Sequence, residues 1–78
     1  MSELAHRIRD LEAEERSLSA RRVRLQNRID FLRSGGGRTG EGPDALADLQ
    51  RQEREVSYRR REVHAEIEVA RAELIRTR

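Results

Sequence analysis

Residues 4–32, LAHRIRDLEAEERSLSARRVRLQNRIDFL, decide the fold. Within them Leu4, Ile8, Leu11, Glu15, Leu18, Arg22, Leu25, Ile29 and Leu32 follow one another in alternating steps of four and three. On a helix that spacing forms one continuous stripe, the a and d positions of a coiled coil. The stripe is narrow, so such a helix is stabilised by a partner covering it more than by its own hydrogen bonds. Downstream, Leu46, Leu49, Glu53, Val56, Arg60, Val63, Ile67, Ala70 and Leu74 repeat the pattern. Between the stripes lies SGGGRTGEGPD, residues 34–44, whose glycines end the first helix. Pro43 with Asp44 suits the opening turn of the second, and Ser2 suits the cap of the first. The pattern predicts an all-α protein, a two-helix antiparallel coiled-coil hairpin forming one unit over residues 1–78. Helix 1 is expected over about 3–33, a Gly-rich loop over 34–43 and helix 2 over about 44–77. A short loop between equal helices, each ~45 Å long at 1.5 Å per residue, favours folding back on itself. Pairing of helix 1 with a second copy of itself is the competing arrangement.

Composition narrows the function. Of 78 residues, 35% are hydrophobic and 3% aromatic, too little to wall off a catalytic cleft, so no enzyme is expected. The absence of cysteine removes disulfide and thiolate chemistry and fits a cytoplasmic protein. Apolar runs of two or three residues predict no membrane span and no signal peptide. All 17 basic residues are arginine, but 15 acidic residues are interspersed and the net charge is only +2. Mixed signs along a helix read as solvated pairs, so no direct DNA binding is expected, even for Arg59-Arg60-Arg61. His6 lies at an outward f position with no second ligand near it in sequence, and no metal site is expected.

The seams carry charges where apolar residues belong. Glu15, Ser19, Arg22, Gln26 and Asp30 are spaced four, three, four and four apart, and Glu53, Ser57, Arg60, His64 and Glu68 repeat those steps. The Glu and Arg of each set fall at a; Ser19, Gln26, Ser57 and His64 fall at e; Asp30 and Glu68 fall at b. Burying a charge without a partner costs several kcal/mol, on the order of 3–5. One reading is structural: Glu15, Glu53, Arg22 and Arg60 pair among themselves and set register in a coiled-coil interaction module without a ligand. A register device does not need Ser, Gln and Asp at matched positions beside it. The other reading is a binding stripe. Arginine donates bidentately to guanine O6 and N7 and stacks on flat rings, while a carboxylate accepts from guanine N1–H and N2. Ser, Gln and His hydrogen-bond phosphate, ribose or base edges. Folding back is expected to bring Arg22 and Arg60 to similar heights, giving a nearly two-fold arrangement suited to a two-fold-symmetric guanine nucleotide.

Glu15-x₃-Ser19-x₂-Arg22-x₃-Gln26-x₃-Asp30 resembles the E-x₃-S-x₂-R-x₃-Q-x₃-D motif of the RsiG family of actinobacterial anti-sigma factors. The resemblance implies an antiparallel coiled coil that binds cyclic di-GMP, singly or as a nucleotide dimer. It also implies that the loaded form sequesters a sigma factor of the WhiG/flagellar class. The second set makes the chain similar to the twin-motif members, in which one hairpin supplies both stripes. On that basis Glu15, Ser19, Arg22, Gln26, Asp30, Glu53, Ser57, Arg60, His64 and Glu68 are the expected cyclic di-GMP ligands. His64 in place of Gln and Glu68 in place of Asp depart from the motif and put equal binding by the second stripe in question. A homodimer contributing two copies of the first stripe is the alternative. Away from the seam, Tyr58, Ala65, Val69 and Ala72 line up on helix 2 as a candidate docking face, while Val23 and Phe31 stand off the seam of helix 1.

Overall fold

A computed structural model of the chain describes residues 2–35 and 43–77. Two helices account for almost all of them: α1, Glu3–Arg33, and α2, Pro43–Arg76. The Ser2 hydroxyl accepts the Ala5 amide at 3.1 Å, capping α1, and Glu3 sits in its first turn where a negative charge meets the exposed amides. At the other end Ser34 donates its amide to the Asp30 carbonyl, and Gly35 follows with φ +88°. That left-handed backbone favours glycine and turns the chain off the helix axis. The glycines expected to continue the loop, Gly36, Gly37, Gly40 and Gly42, lie outside the described residues.

The helices pack antiparallel. Glu12 meets Arg71, Glu14 meets Arg59 and Arg22 meets Glu53, so partner numbers fall as α1 advances. The hairpin measures 58 × 16 × 15 Å, two helices thick, and every core residue is a seam residue. Ile8, Leu11, Leu25 and Ile29 are buried on α1, and Val56, Val63, Ile67 and Ala70 on α2. Leu11, Val63 and Ile67 form one cluster with Leu18 packed against it, and Val63 is fully enclosed. On α1 the buried residues fall into two groups, with Glu15, Ser19 and Arg22 between them and only partly covered. An ionic belt thus divides the hydrophobic seam at mid-length. Tyr58 and Val69 stand 67% and 62% exposed, so the second apolar line of α2 faces away from α1.

Candidate functional site

The belt is built crosswise. Arg22 of α1 donates through Nε to Glu53 Oε1 at 3.3 Å and to Ser57 Oγ at 3.1 Å on α2. In mirror order, Arg60 of α2 donates through Nε to Glu15 Oε1 at 3.2 Å and to Ser19 Oγ at 3.0 Å on α1. Within each helix the serine, one turn past the glutamate, donates back to it: Ser19 to Glu15 and Ser57 to Glu53, both at 2.8 Å. Steps of four and three put acid, hydroxyl and guanidinium on one helix face, and the antiparallel register offers each arginine the opposite acid and hydroxyl. The expectation that Arg22 and Arg60 stand level is therefore corrected. Each lies across from the other helix's Glu–Ser pair, which removes the repulsion of facing guanidinium groups.

These pairs are only partly covered. The Arg22 and Arg60 side chains keep 37% and 36% of their exposure, and among the described residues neither forms a hydrogen bond through Nη1 or Nη2. The guanidinium forks are held at Nε and leave their outer edges toward solvent. Ser19 above all, then Arg60 and His64, holds the Glu15 carboxyl below the usual carboxylate range, against the opposing effect of partial burial. Glu14 is lowered likewise by hydrogen bonds from Arg59, whose guanidinium donates at 2.8 and 3.1 Å.

The remaining stripe residues flank the belt. Gln26 and Asp30 line an open groove of about 540 Å³ together with Ile29, Arg33, Gln50, Glu53 and Arg54. His64 instead closes on Glu15, its Nε2 lying 3.2 Å from Oε1. It lines a smaller groove of about 180 Å³ with Glu12, Glu15, Arg16, Ile67 and Arg71. Glu68 is exposed and lines neither groove. Glu15, Ser19, Arg60 and His64 thus gather at one point, Glu53, Ser57 and Arg22 at its counterpart, and Glu68 stays apart. The groove arginines escaped the sequence reading. They sit at the same e and b phases as the motif residues, and carrying the repeat past the motif would have paired Arg16 with Arg54 and Arg33 with Arg71. Among the described residues no helix is long and apolar enough to cross a membrane, and no cluster of three His, Cys, Asp or Glu could hold a metal.

Residues 43–78, the whole of α2 with its Glu53, Ser57, Arg60, His64 and Glu68 set, match the RsiG-like family model. This part of the chain is similar to the RsiG-like family. The matching segment is the one whose stripe departs from the motif, so His64 and Glu68 do not prevent a match to the family model. The RsiG-like family is a regulatory one, which points to an anti-sigma factor role with a sigma factor as partner. Comparison with curated proteins and with solved structures found no match.

Proposed function

We propose that this RsiG-like hairpin binds cyclic di-GMP across the ionic belt and, once loaded, sequesters a sigma factor of the WhiG/flagellar class in the cytoplasm. The observation that carries the reading is the crossed pair of triads, Arg22 with Glu53 and Ser57, and Arg60 with Glu15 and Ser19. They are related by an approximate two-fold axis, as are the two halves of the nucleotide. Each triad offers an arginine edge for a guanine face or phosphate, and carboxylates that accept from N1–H and N2. The flanking Gln26, Asp30 and His64 add hydrogen-bonding groups within reach of the same ligand.

Switching then follows by linkage. The nucleotide favours the helix geometry that the sigma factor recognises, and sigma binding tightens the nucleotide by the same factor. The exposed line Tyr58, Ala65, Val69 and Ala72 on α2 is the surface offered to the partner. One hairpin supplies both stripes, in the manner of a twin-motif member.

One observation favours a second reading. Seam acids and arginines satisfy one another, which is what a register-setting belt without a ligand requires. Isothermal titration of cyclic di-GMP into wild type, Arg22→Ala and Arg60→Ala separates the two. Binding to wild type that is weakened at least about tenfold in either variant supports a nucleotide site, that ratio equating to about 1.4 kcal/mol. No binding to wild type, or unchanged affinity in both variants, leaves the register role.

A further inference from the structure

Two of the grooves beside the belt are lined by corresponding residues. Gln26, Ile29, Arg33, Gln50, Glu53 and Arg54 of the larger correspond in order to His64, Ile67, Arg71, Glu12, Glu15 and Arg16 of the smaller. The correspondence interchanges the helices, so each groove takes its e-position amide or imidazole from one helix and its acid from the other. Among these six pairs two differ: Gln26 answers to His64, and Gln50 answers to Glu12.

Their consequences are visible. In the smaller groove Arg71 Nη2 donates to Glu12 Oε2 at 2.7 Å, a bar from α2 to α1, and His64 folds onto Glu15. In the larger groove Gln50 offers no charge to Arg33. Among the described residues neither Arg33 nor Arg54 makes an ion pair, and Asp30 lines the wall where Glu68 does not line its own. One groove has two arginines available to a phosphate; the other has one of its two engaged.

We propose that the hairpin carries two unequal nucleotide half-sites, the Gln26 groove filling first and the His64 groove only when the Glu12–Arg71 bar opens. This rests on the cyclic di-GMP reading above. Gln50 and Glu12, outside the motif, are then the residues that set the order of filling. An exposed ion pair is a weak bar, so its removal changes affinity only about two- to fivefold. The replacement of His64 by an amide acts on the same groove.

Nuclear magnetic resonance during addition of cyclic di-GMP tests the order directly, following the Gln26 side-chain amide and the His64 ring. In wild type the Gln26 signals should reach their end point at a lower nucleotide ratio than those of His64. In E12Q/H64Q, which gives both grooves the same side chains at these positions, the amide introduced by H64Q should follow Gln26 closely. In Q50E, which offers Arg33 a carboxylate, Gln26 should lag by about two- to fivefold in nucleotide concentration. Glu12 and Gln50 are half-buried and His64 is exposed, none of the three belongs to the core, and circular dichroism confirms that the helices persist. Simultaneous saturation in wild type, or an order unmoved by E12Q/H64Q and Q50E, overturns unequal half-sites while leaving the nucleotide reading intact. No response at either residue in any form overturns both.

Discussion

Arg22 reaches from α1 to Glu53 on α2 by a single nitrogen, Nε, at 3.3 Å, and the contact is repeated in reverse by Arg60 and Glu15 at 3.2 Å. Both pairs sit where a coiled coil ordinarily buries apolar side chains. A guanidinium held at Nε is oriented but not used up, because its outer fork remains available for a planar acceptor. The same relationship satisfies the folding requirement and prepares a binding edge.

If the belt serves a ligand, it is retained at some expense of stability. Replacing one crossed pair by apolar residues, R22L/E53L, extends the seam and removes the desolvation of two ions. For a half-exposed pair we expect a gain of about 1 kcal/mol, at the low end for such replacements. Thermal unfolding should show a higher melting temperature together with loss of cyclic di-GMP binding. A lower melting temperature would mean that the pair contributes more to folding than the seam can replace.

Val63 is the fully enclosed side chain of the Leu11–Ile67 cluster. Val63→Ala leaves a void that two helices cannot close around, and should cost about 2 kcal/mol. Val69→Ala, at a position 62% exposed, should stay within about 0.5 kcal/mol of wild type. Urea unfolding of both variants checks the contrast, and equal effects would contradict the observed packing.

Much of this fold is legible in the sequence. The alternating four-and-three steps specify both helices and their facing stripes, because the period depends on backbone geometry alone. Ser2 and Gly35 declare the ends of α1 through capping chemistry. The level at which Arg22 meets α2 was not legible. Register is set by the fit of Leu11, Val63 and Ile67, and a one-dimensional pattern does not encode that fit. Nor does the motif reveal that His64 turns onto Glu15, since the imidazole has a reach and hydrogen-bonding geometry that glutamine does not share.

Acid should loosen the hairpin. Glu15, held low chiefly by Ser19, and Glu14, held low chiefly by Arg59, bind fewer protons folded than unfolded. Their contribution is complete above the unfolded glutamate value of about 4.3 and is lost as pH falls through their lower folded values. The melting temperature is expected to hold from neutrality to about pH 5 and to decline below that. Glu15→Gln should flatten part of the decline. A melting temperature that rises on acidification below this range would contradict the assignment.

Gly35 ends α1 with φ +88°, and nothing stands near the position where a Cβ would sit. Gly35→Ala therefore meets backbone strain without a steric clash, and should destabilise by about 1 kcal/mol. The substitution should leave nucleotide affinity unchanged, since Gly35 lines neither groove. A calorimetric melt alongside a cyclic di-GMP titration tests both halves.

The most direct measurement is the melting temperature of the intact chain against cyclic di-GMP concentration. A ligand of the folded belt should raise it steadily, with stabilisation reaching about 2.7 kcal/mol once free nucleotide is about a hundred times its dissociation constant. A melting temperature indifferent to millimolar cyclic di-GMP would contradict nucleotide binding and leave the crossed pairs as devices of register alone.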